Sequence, residues 1–146
     1  MKKTLIALML SFVSIMSFGQ ITIISSSSNF SEVCHNSFGD KIFQTDDEYY
    51  LSLEFWNDNG LNSKYHPSAG YQYISLGKNP VLGLNQLCEL MKQDGFVISM
   101  YTKDNKELTV EKDWQGGLIF RFKENSTMYS VIYSFRIKQL LKKLKK

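Results

Sequence analysis

The segment spanning residues 70–103, GYQYISLGKNPVLGLNQLCELMKQDGFVISMYTK, restricts the fold most, because it contains a helix whose two ends are both marked. Asn79 has the side-chain oxygen an N-cap needs to accept a free amide of the first turn. Pro80 follows at the first helical position, where its missing N–H costs nothing. Val81, Leu84, Leu87, Cys88 and Met91 recur at spacings of three and four, and Leu82 and Leu90 widen that stripe. Gly95 offers a left-handed stop. The pattern predicts a helix over 80–94. Gly83 costs a helix interior about 1 kcal/mol relative to alanine. Its place is explained either by close packing on a strand or by close approach to a ligand.

Strands flank this helix. Tyr71, Tyr73 and Ser75 alternate with Gln72, Ile74 and Leu76; Phe96, Ile98 and Met100 alternate with Val97, Ser99 and Tyr101. Apolar groups on both faces predict central strands. Upstream, 41–45 is a strand candidate, and 49–56 alternates with Tyr49, Leu51, Leu53 and Phe55 on one face. Asn29 followed by Glu32 has the spacing of a capping box, predicting a helical turn over 30–36. Downstream, polar connections at Asp104 and Asn105, at Trp114 to Gly117, and at Glu124 to Ser126 predict an antiparallel meander over 96–135. The period then changes. Ile137, Leu140, Leu141 and Leu144 stand at i, i+3, i+4 and i+7, an amphipathic helix.

The fold class expected is α+β: a single antiparallel-dominated sheet of about six or seven strands, with helix 80–94 and the C-terminal amphipathic helix packed on it. Docking of the C-terminal helix buries four aliphatic side chains, worth on the order of 6–12 kcal/mol before entropy is subtracted. The competing reading is membrane contact through 137–146, since a basic amphipathic helix can lie in a bilayer interface.

The N-terminus has its own logic. Lys2 and Lys3 precede an apolar run from Thr4 to Phe18, and small residues stand at Ser17 and Gly19. This is the three-part pattern of a secretory signal peptide, too short for a membrane span. The organisation expected is a signal peptide at 1–19, a flexible serine-rich segment at 20–29 and one α+β domain at 30–146, in a secreted or periplasmic protein.

Charge excludes one class of partner. With the signal removed, 15 basic residues face 14 acidic ones. Six of the positive charges, Arg136, Lys138, Lys142, Lys143, Lys145 and Lys146, fall in the last eleven residues, so the remaining body is near −5. A nucleic-acid binder carries a basic body, so no nucleic-acid partner is expected.

Candidate chemistry is sparse. Cys34 and Cys88 are the two cysteines. In an oxidising compartment they form a disulfide, remain free thiols, or join His35 and His66 at zinc; the paired ligand spacing of structural zinc sites is missing, so no metal is expected. No nucleophile elbow, zincin motif or phosphate loop is present, and no cofactor is expected. The polar stretch 57–70, NDNGLNSKYHPSAG, is long for a connection in a small domain, and such loops often bind. Trp56, Tyr65 and His66 are therefore the candidate binding residues. The function expected is a non-enzymatic module contacting a protein or glycan in the periplasm or outside the cell. The alternative is a small secreted hydrolase using His66 with a carboxylate or Cys34.

Overall fold

The structure, a computed structural model, describes residues 30–58 and 68–146. The expected segments 1–19 and 20–29, and the candidate residues Tyr65 and His66, lie outside the described residues. Among the described residues, eight strands and two helices follow in the order β1 (Ser31–His35), β2 (Lys41–Gln44), β3 (Tyr49–Asn57), β4 (Ser68–Gly77), α1 (Pro80–Met91), β5 (Val97–Tyr101), β6 (Glu107–Lys112), β7 (Leu118–Phe122), β8 (Met128–Ile132) and α2 (Ser134–Leu144).

The fold is α+β with one antiparallel sheet, as the patterning predicts. Its strand order is β1-β2-β3-β8-β7-β6-β5, with β4 also paired to β3. The meander over β5 to β8 forms as expected. The far end of the sheet comes round to β4: Ile74 bridges Thr102, and the Lys103 amide donates to the Tyr73 carbonyl at 2.8 Å. This single bridge is made by the residue after β5, so β5 itself remains the end of the strand order.

β3 organises the architecture. Leu51, Leu53 and Phe55 on one face are fully buried, as their alternation requires. β4 covers one edge of β3 from Tyr49 to Trp56. The other edge is shared, with β2 opposite Tyr49 to Ser52 and β8 opposite Trp56 and Asn57. Between them, Leu53 to Phe55 face no strand on that edge.

α1 starts where the sequence places it. Asn79 is extended, and its Oδ1 accepts from the Leu82 amide at 3.1 Å. The helix ends at Met91, three residues before the expected stop, because the Lys92 amide turns back to the carbonyls of Glu89 and Leu90. Gly95 does adopt a left-handed φ of 70°, in the connection beyond. Gly83 is buried against β4: a β-carbon there would lie 2.6 Å from the Leu76 carbonyl oxygen, so close packing explains it. α2 docks, with Ile137 and Leu140 fully buried beside Leu84, Leu87 and the strand residues in one core.

Two expectations are corrected. Residues 30–36 do not form a helical turn; 31–35 form β1, paired with β2 through a register shift between Glu32 and Cys34. Glu32 does not close a capping box but pairs with His35 and Lys41. This strand takes the sheet from the expected six or seven strands to eight. β5 is not central either. It ends the strand order, and Val97 and Tyr101 are 67% and 55% exposed, so apolar residues on both faces there reflect one solvated face.

Candidate functional site

A cleft of about 160 Å³ opens where β2 and β8 part along the edge of β3. Glu54 and Trp56 line it from β3, Gly39 and Asp40 from the β1–β2 loop, Val131 from β8 and Arg136 from α2. Of the predicted binding residues, Trp56 is here, 37% exposed at the end of β3.

The cleft is built on residues whose roles the sequence did not disclose. Asn36, only 2% exposed, shapes the β1–β2 loop: its Oδ1 accepts from the amides of Phe38 at 2.9 Å and Asp40 at 3.0 Å. Gly39 completes the loop with a φ of 88°. Asp40 is thereby turned inward, 2% exposed, and meets Arg136. The guanidinium holds the carboxylate through two contacts, Nε to Oδ2 at 2.7 Å and Nη2 to Oδ1. Nη1 donates to the Val131 carbonyl at 2.9 Å. Asn36 Nδ2 donates to Asp40 Oδ2 at 2.7 Å and to the Arg136 carbonyl at 3.2 Å. Arg136 therefore links the loop before β2 to β8 across the gap in β3's edge. A buried carboxylate requires such a partner.

Aromatic rings rise from this base. Phe38 stacks its face toward the Arg136 guanidinium, 5.8 Å to the ring centre, and meets Phe135 edge-on at 5.3 Å. Phe135 lies parallel to Tyr133 at 5.9 Å. Phe38 and Phe135 are each about half exposed, at 52% and 51%. Beyond them is a second, open cleft of about 420 Å³, lined by Gln115, Gly116, Tyr133 and Ser134. The Tyr133 hydroxyl lies 3.0 Å from Asp113 Oδ2 and 2.8 Å from Gln115 Oε1; burial and then Asp113 raise its pKa. Three rings thus form a ridge between the two clefts. Glu54, on the same face of β3 as Trp56, forms no ion pair with the described residues. Its carboxylate is available to a ligand.

Cys34 and Cys88 are free thiols, on β1 and α1. Both are half-buried and pack against the core. Burial is the main cause pushing both thiols up, with lysines of α2, Lys143 and Lys138, acting in the opposite direction. His35 Nδ1 lies 2.7 Å from Glu32 Oε1 on the exposed side of β1, while the neighbouring Cys34 turns to the core. Among the described residues no group of three or more His, Cys, Asp or Glu could hold a metal ion.

No family model, curated protein or solved structure matches this chain.

Proposed function

We propose that this chain is an exported, non-enzymatic binding module that holds a protein or glycan partner across the Trp56 cleft and the Phe38–Phe135 ridge. The observation that carries the reading is the joining of an available carboxylate, Glu54, to exposed rings over a rigid base. Exposed aromatic side chains give large contact area at low entropic cost, and they anchor interfaces when a polar rim surrounds them. The Asp40–Arg136 pair fixes that surface before a partner arrives, which lowers the ordering cost of binding.

Cys34 supports binding rather than hydrolysis. A nucleophilic thiol needs a depressed pKa and access, and burial here acts the other way. Export rests on the three-part pattern of residues 1–19.

The test is a paired glycan and peptide array probed with the wild-type protein and with Trp56→Ala and Glu54→Gln variants. A set of ligands retained by wild type and lost by both variants, at unchanged melting temperature, supports the reading. Equal retention by all three, or no retained ligand, contradicts it.

A further inference from the structure

We infer that the outer face of α2 is a second contact surface, which docks electrostatically on an anionic lipid bilayer. The apolar stripe of this helix is already used: Ile137 and Leu140 are fully buried, and Leu141 and Leu144 pack against the same core. Insertion of that stripe into acyl chains would unpack the domain. What faces solvent is charge. Lys138, Lys142, Lys143, Lys145 and Lys146 are all exposed. None forms a salt bridge with a described residue, whereas Lys41, Lys92, Lys112, Arg121 and Lys123 each stand against a carboxylate of Glu32, Glu89, Asp94, Glu111 and Glu107.

Stability alone does not explain five lysines, on α2 and just past its end, that form no salt bridge with a described residue. Two of them in the last turn complement the helix dipole. Lys138 and Lys142 stand at i and i+4 within α2, where like charges repel. An acidic partner removes that repulsion.

The chemistry of the face selects a diffuse anionic surface. It carries ammonium groups and no free guanidinium, because Arg136 is engaged with Asp40 and Val131. Lysine acts as a mobile point charge, while a defined phosphate site favours the bidentate arginine fork. The exposed aromatic nearest the lysines, Phe135, is one turn before Lys138 and already packs on Phe38 and Tyr133 rather than standing free to stack on a nucleic-acid base, and the body behind the lysines is acidic. A bilayer rich in anionic headgroups fits these features. The acidic body then points away from the lipid, which orients the cleft side of the molecule relative to the surface.

The experiment is co-sedimentation of the full chain with phosphatidylcholine vesicles, with or without phosphatidylglycerol. Wild type is compared with a variant carrying Lys142→Gln, Lys143→Gln, Lys145→Gln and Lys146→Gln. Each lysine near an anionic surface contributes about fivefold in partitioning, so the variant is expected to lose on the order of hundredfold or more. Raising salt from 0.1 to 1 M shortens the screening length from about 10 to 3 Å and should release wild type without any mutation. Every sample has the same N-terminus, so apolar partitioning through residues 4–18 also registers on neutral vesicles and cancels in the difference. Three results overturn the inference: equal sedimentation of wild type and variant on anionic vesicles, sedimentation insensitive to salt, or competition by duplex DNA at concentrations that leave half the anionic lipid free.

Discussion

Arg136 and Asp40 stand 96 positions apart in sequence, yet Arg136 Nε lies 2.7 Å from Asp40 Oδ2 in a bidentate pair that spans the break in β3's shared edge. The acid is 2% exposed and the arginine side chain 20%. Removing the cation leaves a buried charge without compensation, which costs about 3–5 kcal/mol. Arg136→Met is predicted to lose stability in that range by urea denaturation. Adding Asp40→Asn to the same chain should restore part of the loss, because the orphaned charge is then gone. A double variant as unstable as the sum of the two singles would show that the residues act independently.

Gly83 carries a prediction opposite in sign to helix propensity. Alanine there should gain about 1 kcal/mol in an isolated helix. In this fold its β-carbon would meet the Leu76 carbonyl oxygen at 2.6 Å and the Leu76 β-carbon at 2.8 Å, with backbone on the other side that cannot swing away. Overpacking of this kind costs typically 1–3 kcal/mol. Gly83→Ala should lower the denaturation midpoint; a raised midpoint would place α1 farther from β4.

Tyr50 and Glu48 form a linked pair, with Tyr50 on the face of β3 opposite Leu51, that contributes to the pH response. Tyr50 donates to Glu48 Oε2 at 2.8 Å, and Ser75 donates to Oε1 of the same carboxylate. Burial, then the bond to Glu48, pushes the Tyr50 phenol up to about 12 from its ordinary 10. A raised folded-state pKa contributes stability below pH 10 that is lost as pH climbs toward 12. Glu48 behaves in reverse. The bonds from Ser75 and Tyr50 lower its pKa, so its contribution is present above the ordinary carboxylate range and is lost as pH falls through the depressed value. Tyr50→Phe should flatten the alkaline decline in melting temperature relative to wild type. A parallel decline in both proteins would show that Tyr50 does not contribute to it.

The two cysteines give a chemical check. With both thiols free and pushed up by burial, intact mass after alkylation of the unreduced, denatured protein should show two adducts. Alkylation of the folded protein near neutral pH should be slow. An unreduced protein that takes up no label has the bridge between Cys34 and Cys88 that the sequence also allows.

How much of this was legible depends on how local each signal is. The cap at Asn79, the alternation of β3, the connections of the meander and the stripe of α2 are each written within a few residues, and all are found in the structure. β1 was not legible, because Asn29 and Glu32 imitate a capping box while strand pairing with 41–44 decides the outcome. The role of β5 was hidden for a related reason: apolar residues on both faces do not reveal which edge lacks a neighbour. The cleft was half legible. Trp56 is marked in the sequence as an aromatic beside a long polar stretch. Asn36, Asp40 and Arg136 carry no such mark, since Arg136 reads as one charge in a basic tail until the fold brings its partner to it. The composition of Asn36 to Asp40, with Asn, Ser, Gly and Asp, was the available turn signal.

The central claim is that the Trp56 cleft contacts the partner. Trp114, 87% exposed and outside both clefts, provides the internal control. Isothermal titration of the best array ligand against Trp56→Ala and Trp114→Ala measures the difference directly. An anchor residue is worth about 2 kcal/mol or more, roughly thirtyfold in affinity. That loss is expected for Trp56→Ala, with Trp114→Ala within twofold of wild type. Wild-type affinity in Trp56→Ala, or the larger loss in Trp114→Ala, would contradict it.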